Sequence, residues 1–164
     1  MVEFALVAPI LLLLVLGVLE SMMLLFSIST ARFAVTEAAR VDSELARSPI
    51  ADQQAVAAVR STAIGQTSLV SVSEIDIYRL EPDPGNPGAY VQDPNAINRY
   101  RLDGTLIGSV NWPPAVRDIT LANGDYLGVT ILYTYQWKTG LFDSFLPAVN
   151  QTAVDHLRIE PQVY

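Results

Sequence analysis

Val2-Glu3-Phe4-Ala5-Leu6-Val7-Ala8-Pro9-Ile10-Leu11-Leu12-Leu13-Leu14-Val15-Leu16-Gly17-Val18-Leu19-Glu20 is the stretch on which the fold of this chain turns. From Phe4 to Leu19 no residue is charged and leucine dominates; beyond Glu20, the run from Ser21 to Ala31 is uncharged again. A helix rises about 1.5 Å per residue, so residues 2–31 extend roughly 45 Å, more than the about 30 Å hydrocarbon core of a bilayer. Three accounts compete. A cleaved secretory signal carries positive charge ahead of its apolar run and a small-residue cleavage site after it; here Glu3 takes the place of that charge, and the run passes into an amphipathic segment without a break. An ordinary single-pass anchor explains the length but neither Glu3 nor Glu20. A helix stored first in the membrane and then packed among copies of itself explains the length and gives Glu3 a task.

A carboxylate near hydrocarbon is costly unless paired. The start of a helix offers unpaired N–H groups and the positive end of the dipole, and a neighbouring copy's α-amine would offer a full opposite charge that fixes axial register. The plainer alternative keeps Glu3 in the headgroup region as an acid at a helix N-terminus. Pro9 removes one backbone bond and crowds the preceding turn, which predicts a kink or a loosened first turn. Gly17 thins the helix where a second helix can approach. Glu20 has two readings as well: paired with Arg32 of a neighbouring copy, or marking the membrane exit. Phe4, Leu12 and Leu16 add apolar bulk. Together with Glu3, Pro9, Gly17, Glu20 and Arg32 they form the candidate assembly set.

These residues carry a resemblance. Met1-Val-Glu-Phe-Ala-Leu, the following Pro9 and the Leu-rich stretch ending in Glu20 resemble the start of TadE-like proteins, the pilins and pseudopilins of tight-adherence (Tad) type IV pilus systems. In that family a short basic leader ending in Gly is removed by a prepilin peptidase, and the glutamate lies fifth in the mature chain. Here it is Glu3, so the sequence resembles a member lacking the leader and two further residues. The tract from Gly128 to Trp137 with Leu141-Phe142 resembles the family's late strand and following loop, and Leu157-Arg-Ile-Glu-Pro161 resembles its terminal strand. The resemblance implies a structural subunit of a cell-surface filament. Its partners would be copies of itself in a helical filament, the cytoplasmic membrane before assembly, the prepilin peptidase and the pilus assembly machinery. A minor pseudopilin that initiates or caps a pilus, and a membrane-anchored binding domain that never polymerises, are the alternatives.

Beyond the apolar run the pattern predicts an α+β fold, with a long N-terminal helix over 1–48 and a β-rich domain over 49–164. The helix divides into a membrane or filament-core half, 1–28, and an amphipathic half, 29–48. In the second half Ala31, Ala34, Val35, Ala38, Val41 and Leu45 form a helical stripe. Arg32, Thr36, Glu37, Arg40, Ser43, Glu44 and Arg47 occupy the other surface, with Ser48-Pro49 as the stop. A short helix is expected over 52–63 with Val56, Val59 and Ala63 on one face, and Gly65 as its stop. A strand follows over 71–80, with Ile75 and Ile77 sharing a face. The Pro- and Gly-rich tract 81–98 reads as irregular surface chain, and 99–110 as a small hairpin about Asp103-Gly104. The strongest strand is 126–137, where Val129, Ile131, Tyr133, Tyr135 and Trp137 alternate with polar or smaller residues. A last strand covers 152–160, closed by Pro161.

The remaining composition argues against other classes. Net charge is −7, with one lysine (Lys138) among ten basic residues and no basic cluster, so no nucleic-acid partner is expected. The absence of cysteine excludes a disulfide framework, a thiolate metal site and a Cys nucleophile. His156 is the only histidine. It shares a strand with Asp155, whose side chain alternates to the opposite face, so no acid–base pair is implied. No Gly-rich phosphate loop and no zinc spacing occurs, and neither cofactor nor catalytic set is expected. Asp83, Asn86, Asp93 and Asn95 carry oxygens of the kind calcium takes, but the prolines among them explain the tract as turns. Asn150-Gln151-Thr152 matches the glycosylation acceptor triplet, a pattern frequent by chance. The aromatic stripe of Tyr133, Tyr135 and Trp137 reads as core against the helix, or alternatively as an adhesive face.

Overall fold

The computed structural model describes residues 2–140 and 146–159; of residues 2, 3 and 5 it describes the backbone alone. The long helix α1 runs Val2–Leu45 and continues through Pro9. It stops at Ala46, whose φ of 46° places a non-glycine residue in the left-handed region; the Ala46 amide donates to the Asp42 carbonyl at 2.8 Å and closes the last turn. The chain therefore leaves the helix just ahead of Ser48-Pro49. α2 (Ala51–Ser61) and the single turn α3 (Ala63–Gln66) follow, separated by Thr62 in an extended conformation. The short helix thus stops at Ser61, and Gly65 lies inside α3. Val56 and Val59 are buried as expected, while Ala63 faces water.

Four strands, β1 (Val70–Pro82), β2 (Tyr90–Tyr100), β3 (Tyr126–Tyr135) and β4 (Val149–Arg158), form an antiparallel sheet in the order β2-β1-β3-β4. One face packs on the helices. There Ile75, Ile77, Leu127, Val129, Ile131, Tyr133 and Tyr135 meet Ala31, Ala34, Val35 and Ala38 of α1, with Val56, Val59 and Ile64 of α2 and α3 completing the core. Small residues on α1 bring the helix axis close to the sheet, and the large residues come from the strands. The buried stripe of α1 then continues through Ala39, Asp42, Ser43 and Ala46, while Val41 and Leu45 are only half-buried. Ser43, assigned by pattern to the outer surface, turns inward and donates to the Arg158 carbonyl at 3.0 Å, tying the end of β4 to the helix. Thr36 donates to Asp155 from the same side, which confirms that Asp155 faces the helix and His156 the other way. On the outer surface of the helix Arg40 pairs with Glu37 and Glu44, three and four residues away.

The tract 81–98 is not wholly irregular. Its second half is β2, paired to β1 from Tyr90 onward. The turn chemistry is real but sits in a bulge: Tyr78 pairs with Ile97 and Leu80 with Gln92, so residues 93–96 oppose Arg79 alone. Pro94 therefore lies where the ladder is already broken and no donor is needed. Asp93 accepts from the Asn95 amide at 2.9 Å and pairs with Arg79, which fills the gap from the facing strand. The hairpin about Asp103-Gly104 is reduced to a turn and one bridge, Tyr100 to Leu106. The last strand starts earlier than expected, at Val149; the closing Glu160 and Pro161, like Leu141-Phe142, lie outside the described residues.

A polar cluster joins the helices to the edge of the sheet. Arg117 is buried and reaches Asp42 of α1 at 2.9 Å and Asp52 of α2, with its guanidinium 4.4 Å above the Trp112 ring. Asp52 also accepts from Asn98 at 2.7 Å and from Tyr100 at 2.8 Å, while the Asn98 oxygen accepts the amides of Asn111 and Trp112. Removing one partner of such a cluster strands the other charges in a dry site, at a cost of about 3–5 kcal/mol. The cluster fixes where α1 ends, where α2 begins and where the loop through Trp112 lies.

Two features of the sheet's other face give predictions. The Tyr78 ring lies over Gly128, where an added Cβ would stand 2.3 Å from a ring carbon, and its hydroxyl meets Thr130 at 3.1 Å. Gly128→Ala is expected to lower stability by about 1–3 kcal/mol, and to do much less in a Tyr78→Ala background, as a double-mutant cycle by urea unfolding would read. Asp76 is half-buried on this face, and burial together with the adjacent Glu74 carboxylate pushes its pKa up to about 7. Between the ordinary carboxylate range and pH 7 the folded state then holds a proton that the unfolded chain has lost, so this group's contribution falls as pH rises through that window. Asp76→Asn should raise the melting temperature at pH 8 and leave it nearly unchanged at pH 4.

Candidate assembly surface

The two ends of α1 meet different surroundings because the domain closes on one side of the helix from about Glu20 onward. From Phe4 to Val15 every described large apolar side chain is exposed, from Phe4 at 76% to Val15 at 46%. At Leu16 and Gly17 one side becomes half-buried, and at Glu20 it is closed. The opposite side stays bare and apolar through Val18, Leu19, Met22, Leu25 and Phe26 to Phe33, which is 63% exposed. Past Phe33 that outer side turns to Thr36, Arg40 and Glu44. By length and composition the helix is able to cross a membrane.

Three hydroxyls along this stretch bond back into the helix itself. Ser21 Oγ donates to the Gly17 carbonyl at 2.9 Å, Ser27 Oγ to Leu24 at 2.7 Å and Thr30 Oγ1 to Phe26 at 3.0 Å. A hydroxyl bonded back to the preceding turn presents its carbon side outward and suits an apolar environment.

Glu20 marks the place where the domain begins. Its side chain is 1% exposed. One carboxylate oxygen accepts from the Tyr135 hydroxyl at 2.7 Å and from the Lys138 amide at 2.9 Å; the other accepts from the Thr139 amide at 3.0 Å. Within the chain itself this buried acid finds its donors at the end of β3 and just after it. Arg32 lies exposed on the helix surface. The Glu20 donors stand 115–119 residues away in sequence, at the end of β3 and in the turn after it, so periodicity in the helix gives no sign of them. Around the same turn Trp137 donates its indole N–H to the Pro147 carbonyl at 2.9 Å and packs edge-on to Tyr135 at 5.6 Å.

Of the sequence-derived assembly set, Phe4, Pro9 and Leu12 lie on the fully bare segment, Leu16 and Gly17 at its border, Glu20 inside the domain contact, and Arg32 near the end of the bare outer stripe. The Glu3 side chain lies outside what is described. Tyr133 and Tyr135 are core residues facing the helix, and Trp137 of the same stripe is half-buried. Asp83 accepts from the Gly85 amide at 2.8 Å and Asp93 is held by Arg79 and Asn95, so both serve turns. A cleft of about 430 Å³ at the far end of the sheet, lined in part by Arg79, Tyr90, Tyr126 and Arg158, has both arginines engaged: Arg79 with Glu81 and Asp93, Arg158 with the Thr120 and Leu121 carbonyls. Among the described residues no cluster of acids and histidine is arranged to hold a metal.

Glu20→Ala leaves the Tyr135 hydroxyl and two amides in a closed site without their acceptor. Each buried unpaired group costs about 1–3 kcal/mol. The variant is expected to lose on the order of 3 kcal/mol of stability in detergent, with amide exchange at Lys138 and Thr139 accelerated far more than at Ile131.

No curated protein and no solved structure matches this chain. A family model does: residues 1–40 match that of the TadE-like protein family. The matched segment holds the whole bare helix, Glu20 and the start of the docked stripe, and the sheet lies beyond it. The resemblance drawn from Val2–Glu20 is therefore met by an independent comparison, and the match points to a pilus-associated protein. Over residues 1–40 this chain is similar to the TadE-like protein family.

Proposed function

We propose that this protein is a structural subunit of a Tad-type pilus, held in the cytoplasmic membrane by the first half of α1 and then packed through the same surface into an extracellular filament. The observation that carries the reading is the bare helix. Soluble monomers rarely leave an apolar surface of this extent open, and each large side chain moved out of water is worth roughly 1.5–3 kcal/mol. Lipid meets that need at one stage and neighbouring copies meet it at the next. In a filament the bare segments lie at the axis and the β-domains outside, with Glu3 in position to meet a neighbour's terminal amine and set the axial register. Prepilin peptidase and the pilus assembly machinery are the further partners this reading calls for.

The test is to shear filaments from the cell surface, sequence the N-terminus of their subunits and image them. Thousands of copies per filament, with residues 4–19 retained, are expected. A few copies per filament would move the protein to an initiating or capping role, and a helix left in lipid at the working stage would make it an anchored domain. Soluble globules lacking residues 4–19 would refute both membrane storage and assembly. Leu12→Glu, on the fully exposed segment, should abolish incorporation while leaving the β-domain's circular dichroism intact.

A further inference from the structure

We propose that, while α1 spans the membrane, the turn Gln136–Gly140 of the β-domain rests in the headgroup layer as a foot, with Lys138 directed at the phosphates of anionic lipids. The inference rests on the membrane-stored stage of the reading above.

The argument begins with length. The uncharged run starts at Phe4, and about 20 helical residues cover a hydrocarbon core of about 30 Å, which carries its far edge to about Met23. Glu20 lies three residues inside that edge, roughly 4.5 Å along the helix axis. Its carboxylate is joined to Tyr135, Lys138 and Thr139 by three hydrogen bonds, so the turn cannot rise away from that level without breaking them. The same bonds explain how an acid is tolerated there: the domain supplies the donors that lipid lacks.

The turn has the chemistry of that layer. Trp137 is half-buried, with its N–H already bonded to Pro147, and an indole with an apolar body and a satisfied polar edge is favoured at the membrane–water boundary. Leu146 and Pro147 beside it are exposed. Lys138 is exposed, is the only charged residue within Gln136–Gly140, and is the only lysine in a chain of net charge −7. A lysine stem lies along apolar material while its ammonium reaches headgroups, and a basic group near an anionic surface is attracted to it. The amide of Lys138, not its side chain, bonds Glu20, and the residue is exposed.

The chain has no cysteine, which allows single nitroxide labels on otherwise intact protein. Lys138→Cys, Gln136→Cys, Leu121→Cys and Leu12→Cys are labelled and reconstituted at high dilution in phosphatidylethanolamine–phosphatidylglycerol vesicles, and their relaxation by oxygen and by an aqueous nickel chelate is compared. Labels at 136 and 138 should show an oxygen-to-nickel ratio several-fold above that at 121, which is 75% exposed at the far end of the sheet, and below that at 12. Exchanging phosphatidylglycerol for phosphatidylcholine should lower the ratio at 136, where Lys138 is retained. A ratio at 136 and 138 equal to that at 121, with 12 deep in lipid, overturns the foot and leaves the membrane-stored stage standing. A shallow label at 12 removes that stage and the foot with it. Dipolar broadening at 138 that persists on dilution shows a second copy covering the turn instead of lipid, and also overturns the proposal.

Discussion

One continuous helix has to satisfy two environments, and the Glu20 carboxylate is where they meet. On one side of it the helix carries large aliphatic residues around its full circumference and no domain to cover them. On the other, its inward stripe shrinks to alanine and serine, and the sheet closes on it. Three donors converging on one acid fix the height at which the domain attaches, and so fix how much of the helix is left bare. Were the domain seated one turn nearer the N-terminus, about 5.4 Å of the apolar rod would be covered and withdrawn from any lipid or helical neighbour.

The rest of the domain is organised to hold that attachment. The Arg117 cluster ties the far end of α1 to α2 and to the edge strand, while Ser43 and Thr36 bond β4 along the middle of the docked half. The docked part of the helix is thus held at both of its ends and between them. Without such a joint the bare rod and the domain would pivot at the last shared contact. The alanines at 31, 34, 38 and 39 serve the same end, because they let β3 approach the backbone closely and give its aromatic residues a flat bed.

The sheet's other face shows how irregular sequence is accommodated. Gly128 is open so that Tyr78 can lie across β3, and the Asp93–Ala96 bulge absorbs a proline without losing the edge strand. The residues that break the β2 ladder, Asp93-Pro94-Asn95, are also turn formers, so local pattern marks this stretch as irregular chain. The signal for turn was correct over four residues, and the strand resumes on each side because Ile97, Asn98 and Tyr100 have partners inside the domain. Asn98 and Tyr100 face inward for hydrogen bonding rather than for apolar packing, so an apolar–polar alternation could not reveal them.

Sequence alone determined the long helix, its bare half, the α+β class and the central strand β3, because each is written in local periodicity: an uncharged run, an i, i+3, i+4 stripe, and strict alternation of branched and aromatic residues. It also carried the family likeness of the first 40 residues. Only the tertiary structure decided where the acids go. Glu20, Asp42 and Asp52 look alike to any pattern in a helix, and their burial is set by Tyr135, Arg117, Asn98 and two backbone amides that fold back from distant segments. A polar side chain is buried only where donors are brought to it, and which donors arrive is a property of the assembled fold, not of the stretch in which the acid stands.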